Sequence, residues 1–559
     1  MEVLTLWFLF ALMADSPPPG VNEAHYLAKA RHYWDPSFCS GDLFLESADA
    51  HLVFYWTFGW ITTLTSLTTA AWIGRIVVWG LLASGWQRLV TSVLPFRGAA
   101  VLSGVAFVLL QRNLHMAGEW VLGGVEAKCF AYGLVFHALA FIARGRWVYS
   151  WPLLGAATAF HVLVGGWSLV AASLAFMLDR ERRPLAANAL SIIVALMIAS
   201  LGLWPALQLN SQVKPEIASQ ASEILVFKRL PHHLSFSRFR TEFLIRMGLA
   251  MVAWAALWQQ MNFKDRRHEW RRLQCFVAGS AAICAIGAAI DLSLSTTHPL
   301  RAASLLRFYW YRLADVMIPL GVLFGLLYQL YHLPAPIMRR LAMGMCWALV
   351  MWFCGQTVRA NWTQPLPGAF VQLRKFVPTD ERPEQFRQWL AMCRWMQQNT
   401  PPESRVLAPR GQQTLKWYAF RGEVSNWKDV PQDAGEVVRW YERQQRLFPR
   451  GAKRDGLTYW SDRELLALMD QYEANLLLLD RDKSKRVPDP AQLERVYPPA
   501  GTSEPSVFEV YRRAAAPELP LKGVATSEVA DASEDGDGVP SSERAEADRG
   551  ALPPLEALP

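Results

Sequence analysis

Residues 180–207 read RERRPLAANALSIIVALMIASLGLWPAL. Three arginines are followed, from 186 to 207, by a run without one charged side chain. As a helix such a run is about as long as the ~30 Å hydrocarbon core of a bilayer is thick. The segment therefore predicts a membrane span whose basic end stays on the cytoplasmic side. Outward from it the same pairing recurs. Basic clusters stand at 264–272 (KDRRHEWRR), at Arg144 with Arg146, and at Arg339 with Arg340. Between them lie apolar segments near 72–92, 99–112, 124–143, 243–261, 274–292, 313–331 and 341–358. The stretch 149–178 falls between two basic anchors and is too short for two full spans, so it predicts a tight hairpin of two short helices, broken at its tip (161–167) by Gly165 and Gly166. Met1 to Met13 is apolar but covers only about 20 Å as a helix, and it lacks a basic leader region and a small-residue cleavage site. It is read as a short first span. The fold class is an α-helical polytopic membrane protein of about eleven spans.

The mean hydropathy of +0.11 hides two unlike parts, because apolar runs fill residues 1–358 while the rest is rich in Arg, Glu, Pro and Gln. The net charge of +8 is likewise a sum: from Ala514 onward there are ten acidic and three basic residues, which leaves +15 on everything before. Basic residues flanking spans mark cytoplasmic loop ends and contacts with anionic membrane lipids; no nucleic-acid motif is present. The seven cysteines form no CxxC pair and read as small buried hydrophobes.

Alternating the spans from a cytoplasmic N-terminus places 14–71, 113–123, 208–242, 293–312 and everything after Val358 on the outer face of the cytoplasmic membrane. Three regions follow: a multi-pass core (1–358) carrying the outer loop 14–71, an extracytoplasmic α/β domain (359–512), and an acidic tail (513–559). In the second, helical patterns at 385–398, 436–447 and 463–472 alternate with strand-like runs at 405–408, 475–479 and 507–511. The tail has no aromatic residue and is expected to be disordered.

The first outer loop runs PPPGVNEAHYLAKARHYWDPSF, continues into GDLFLESADAHLVFYWTFGW, and enters a span at TTAAWIGR. This layout resembles the GT-C-type membrane glycosyltransferases, the superfamily of protein mannosyltransferases and lipid A aminoarabinose transferases. In those proteins a short first span is followed by an acidic residue in a loop helix, an aromatic helix on the membrane, and a span ending in arginines. The matching parts here are Asn22-Glu23-Ala24-His25-Tyr26, His51 to Trp60, then Arg75 and Arg88, and the likeness includes the hairpin at Phe160-His161-Val162-Leu163-Val164-Gly165. The resemblance implies transfer of a sugar from a polyprenyl-phosphate-linked donor to an acceptor on the outer face. It leaves a divalent metal as the one candidate cofactor and oligomeric state open. Many members carry Asp-Glu where this chain has Asn22-Glu23, so one carboxylate remains for base or metal roles. A transporter or assembly scaffold on a related core is the alternative, and a central passage open to both faces would favour it.

Such a transfer needs a carboxylate facing the acceptor hydroxyl and cations facing the departing phosphate. Glu23 is the first candidate catalytic residue; structurally, it would sit at the positive end of a helix capped by Asn22. Glu126 is the second. It stands seven residues after Glu119, on one helix face if that helix is continuous, with an ion pair to Lys128 as the structural alternative. For the donor phosphate the candidates are Arg301, Arg307 and Arg312, cations at the outer end of a span where they are usually scarce, with His161, Arg229 and His232. Arg301 and Arg312 share a face if the helix starting at Pro299 is unbroken, and Arg312 has Asp315 one turn on as a structural partner. Adjacent His232 and His233, with no third ligand at metal spacing, are weak zinc evidence.

Overall fold

The computed structural model describes residues 1–515 apart from Asp15, Pro95, Arg180, Arg182, Arg183, Gln212, 265–267, Gln364, Gln413, 450–456, 458–459, 483–485 and 502–505. The acidic tail and much of two basic anchors thus lie outside the described residues. Residues Met1–Ala514 form one compact unit.

A helix stands at each of the eleven expected span positions. Among the described residues six are long and apolar enough to cross a membrane: Leu67–Val93, Leu185–Leu209, Thr241–Gln260, His268–Leu294, Ala314–Tyr331 and Pro336–Thr363. The others, Glu2–Ala14, Ala99–Asn113, Ala127–Ala143, Trp147–Phe160 and Val162–Leu178, are shorter, between 13 and 17 residues. The peripheral helices turn bulky apolar side chains outward, among them Leu190, Ile193 and Met197 on one and Leu341, Met345 and Trp352 on another. Surfaces of that kind are stable against lipid and costly against water. The chain is an integral membrane protein.

The hairpin forms, but its break lies at His161, between Trp147–Phe160 and Val162–Leu178. Gly165 and Gly166 sit inside the second helix and do not break it. Gly165 serves packing: a Cβ there would lie 2.0 Å from the backbone nitrogen of Thr158. The helix Trp147–Phe160 also meets Leu185–Ser211 closely enough that a Cβ on Gly155 would lie 2.3 Å from the Ala195 carbonyl oxygen. Small residues let these backbones approach where lipid offers no hydrophobic drive to pack helices.

Beyond the core, five strands, β1 (Arg405–Leu407), β2 (Gly422–Glu423), β3 (Leu476–Asp480), β4 (Leu493–Tyr497) and β5 (Phe508–Arg513), form a sheet in the order β2-β1-β3-β5-β4. β1 is parallel to both β2 and β3, and β5 is antiparallel to β3 and β4. The four leucines of β3 are all buried because both faces of the sheet are covered. Trp389, Met392 and Met396 of the helix Arg382–Asn399 belong to one apolar cluster, and Leu465, Leu468 and Met469 of Asp462–Gln471 to the other. The expected helices and three expected strands are present; two-residue β2 and β4 carry no strong strand pattern.

Candidate functional site

Two adjoining cavities lie where interhelical loops, hairpin tip and sheet region meet. One, of about 320 Å³, is polar: it is lined by Glu119, Glu126, Lys128, Arg229, Arg312 and Lys428, with His25, His161 and His233 among them. The other, of about 270 Å³, is lined by Val162, Leu163, Ala206 and Leu209 from membrane helices and by Leu225, Leu230 and Leu234 from the loop 208–242, with Arg307 and Phe308. His25, Tyr26, His161, Tyr309 and Arg312 line both.

The polar chamber is organised by ion pairs. Arg312 Nε lies 3.0 Å from Glu119 Oε2, its Nη1 3.1 Å from His161 Nε2, and its guanidinium 4.2 Å from the centre of the Tyr309 ring. Lys128 Nζ stands between two carboxylates, 3.8 Å from Glu119 and 3.6 Å from Glu126, and 3.9 Å from the centre of the Trp120 ring. Asn22 lies beside Glu126. Arg229 donates to the Trp427 carbonyl at 3.0 Å. Lys428 makes no close ion pair among the described residues; burial, with Arg229 next, pulls it down to about 8 against the weaker pull of Glu126 and Asp429. Burial, with His25 and Arg312 adding like charge, lowers His51 to about 4, so this histidine is neutral at physiological pH. Four cations thus face two carboxylates, and the chamber favours an anion.

Glu23 is elsewhere. It is buried and faces neither cavity: its Oε1 accepts from Arg75 Nε (2.7 Å) and Val125 N (2.7 Å), its Oε2 from Arg75 Nη2 (2.6 Å) and Gly20 N (2.6 Å). A carboxylate with two strong donors on each oxygen is a structural clamp. Asn22 makes no side-chain cap. Arg301 is also separated from the site. The helix Pro299–Leu306 ends before the turn in which Tyr309 adopts φ +54°, so Arg301 and Arg312 share no face and Arg301 is exposed. Arg307 lines the apolar chamber and donates to Ser222 Oγ at 3.2 Å. Asp315 is not the partner of Arg312: it accepts from the backbone N–H groups of Met116, Ala117 and Glu119 at 2.8 to 3.2 Å and thereby holds the loop that carries Glu119. Glu126 precedes Ala127–Ala143, so no continuous helix joins it to Glu119; Lys128 joins them instead. His161 caps its helix, accepting from Val164 N at 3.3 Å, and also faces Arg312. His232 lines neither cavity; its ring lies tilted against that of His233, which does line the polar one and bonds the Ala117 carbonyl.

Sequence reasoning missed His25, Tyr26, Tyr309, Lys428 and Asp429 as site residues. His25 and Tyr26 follow the Asn22-Glu23 pair directly, whereas Lys428 and Asp429 lie in the sheet region, far along the chain, where no motif marks them. Among the described residues no group of three or more His, Cys, Asp and Glu side chains is placed to hold a metal ion. Between the two chamber carboxylates, where a divalent cation would have to sit, stands the Lys128 ammonium. The donor set does not fit the metal that the resemblance left as a candidate.

The fold and the site define an integral membrane protein with a charged cavity, formed by loops at one end of the helices, joined to an apolar cavity that membrane helices wall. The family described as a domain of unknown function, DUF6798, matches residues 387–447, which include Lys416, Glu423 and Asp429. No curated protein sequence matches the chain. Among solved structures it is similar to ArnT from Cupriavidus metallidurans bound to undecaprenyl phosphate, at 14% identity over 92% of this chain and 97% of that one, with a TM-score of 0.48. It is also similar to the oligosaccharyltransferase of Archaeoglobus fulgidus tethered with an acceptor peptide (11% identity, 86% and 69% of the two chains, TM-score 0.44) and to AglB from that organism with an inhibitory peptide and a dolichol-phosphate (12% identity, 86% and 69%, TM-score 0.42). The likeness carries nothing about substrate or chemistry.

Proposed function

We propose that this chain transfers a sugar from a polyprenyl-phosphate donor to an acceptor at the outer face of the membrane, with the sheet region on that side. The observation that carries the reading is the junction of the two cavities. An apolar passage walled by Val162, Leu163, Ala206 and Leu209 ends against Arg307 and Arg312 and continues into a chamber rich in cations. A lipid with a phosphate at its head fits such a passage: its chain replaces apolar contacts and its phosphate meets guanidinium groups. In the reaction the acceptor oxygen forms a bond to the anomeric carbon, the bond from that carbon to the phosphate oxygen breaks, and the phosphate leaves with the electron pair. Arg312 and Arg307, already in place, stabilise the charge that develops there. The lining of both chambers comes from one end of the helix bundle, whereas transport requires a route to the other. The test is binding of polyprenyl phosphate to the protein in lipid nanodiscs, followed by release of polyprenyl phosphate from its glucose, mannose and galactose derivatives, with cell-envelope membranes as the source of acceptor. A parent protein that neither binds the lipid phosphate nor consumes any of these donors refutes the reading.

A further inference from the structure

The transfer frees one proton from the acceptor hydroxyl, and the carboxylates around the site are already engaged. Glu119 holds Arg312 and Lys128, Glu126 holds Lys128, and Glu23 accepts four bonds. One imidazole is arranged differently. His25 lines both chambers, its ring stacks on Phe44 with centroids 4.1 Å apart, and its Nδ1 lies 3.2 Å from Asp429 Oδ1. Among the described residues nothing bonds its Nε2. Asp429 is buried, and its Oδ2 lies 2.7 Å from Lys416 Nζ; the same ammonium is 3.0 Å from Asp42 and 2.5 Å from Glu423. Burial alone would raise Asp429, but Lys416 and the bond to His25 hold it well below the ordinary carboxylate range, so it is ionised. An ionised carboxylate only accepts. The hydrogen of neutral His25 therefore sits on Nδ1, and Nε2 keeps the lone pair.

We propose that His25, oriented by Asp429, takes the proton of the acceptor hydroxyl; this rests on the glycosyltransferase reading above. The hydroxyl proton moves to Nε2 as the oxygen bonds the anomeric carbon and the phosphate departs with its electron pair. The imidazolium so formed is balanced by Asp429, and its proton passes to water after product leaves. His25 is the catalytic residue in this step, Asp429 a positioning residue and Lys416 the group that fixes Asp429. The two halves of the couple come from distant parts of the chain, the first outer loop and the segment after β2, so the base is assembled only when the sheet region is seated on the loop.

The experiment uses the full chain in nanodiscs with two readouts. In the transfer assay, His25→Ala should lower turnover of the consumed donor about 10²- to 10⁴-fold while polyprenyl phosphate binds within about twofold of the parent, and added imidazole should restore part of the rate. Asp429→Asn should lower kcat with KM unchanged, because an amide permits the wrong tautomer. In the second readout, diethyl pyrocarbonate labelling followed by mass spectrometry should mark His25 in the parent, and more slowly in Asp429→Asn. A His25→Ala protein that turns over at the parental rate, or one that binds the lipid yet gains nothing from imidazole, overturns the assignment while the glycosyltransferase reading stands. So does a parent in which His25 escapes labelling. A parent that consumes no donor although His25 labels in the Asp429-dependent way refutes the glycosyltransferase reading itself, and the base role with it.

Discussion

Replacing Glu23 by glutamine tests the clamp directly. Glu23 and Arg75 are each 1% exposed, and the guanidinium meets both carboxylate oxygens at 2.7 and 2.6 Å. Removing the charge from one side leaves a cation buried without its partner, and breaking a buried pair in this way costs about 3 to 5 kcal/mol. Glutamine cannot recover the geometry. Each oxygen accepts both an arginine N–H and a backbone N–H, so the amide NH₂ faces two donors whichever way it is turned. Glu23→Gln is therefore expected to lose about 3 to 5 kcal/mol in SDS mixed-micelle unfolding. The double variant Glu23→Leu with Arg75→Leu should be markedly more stable than the sum of its single variants, because no orphaned charge remains. Where it is still folded, Glu23→Gln should bind polyprenyl phosphate. A Glu23→Gln protein as stable as the parent but deficient in transfer would refute the clamp and return Glu23 to a catalytic role.

Lys416→Met leaves Asp42, Glu423 and Asp429 buried around no cation and should destabilise the fold by about 3 to 5 kcal/mol, read as faster proteolysis of the sheet region. Arg312→Gln should weaken polyprenyl-phosphate binding by about 1.5 to 3 kcal/mol, whereas exposed Arg301→Ala should leave it unchanged; equal losses in both would refute the chamber assignment. Lys428 is held down to about 8 by burial, so the polar chamber loses a positive charge as pH rises through that value and anion affinity should fall between pH 7 and 9. The sign for stability is opposite: between about 8 and the ordinary 10.5 the unfolded state binds more protons at this lysine, so its contribution to stability rises with pH. Lys428→Met should remove both dependences.

The membrane fold was legible because its signal is local. A 22-residue uncharged run such as 186–207 specifies a helix wherever it is placed, and the basic clusters order the runs without reference to any contact. Interruptions were less legible. The hairpin glycines look like breakers in sequence, yet in a membrane helix they admit a neighbouring backbone, as Gly165 does against Thr158. The turn that separates Arg301 from Arg312 has no Gly or Pro within 307–313 to announce it; it is set by tertiary packing, with Tyr311 and Leu313 buried in the core. The site was legible only by halves. Arg312, Arg307, His161, Arg229 and Glu126 drew attention as charges in unexpected places, and all five line the cavities. The pairings that assign roles join residues too far apart in sequence for any spacing rule: Glu23 with Arg75, Arg312 with Glu119, His25 with Asp429.

Those pairings also explain why the loop helix Glu23–Trp34 carries the site although its acid does not face it. The helix is held at its start by the clamp to Arg75, Gly20 and Val125. In its middle Lys29 donates to the carbonyls of Phe44, Leu45 and Ser47, and at its end Arg31 and Trp34 bond the carbonyls of Thr62 and Tyr55 at 2.9 Å each. Along the remaining face His25 and Tyr26 meet the cavities. A helix braced along its length cannot relax to follow a substrate, so the positions of these two side chains are set before any ligand arrives. Preorganisation of that kind is what a proton acceptor needs, since a displacement of about 1 Å can cost of order 10² in rate. The carboxylate that the loop motif singles out thus contributes through the backbone it fixes, and the side chains it brings to the cavity are the ones two and three residues further along.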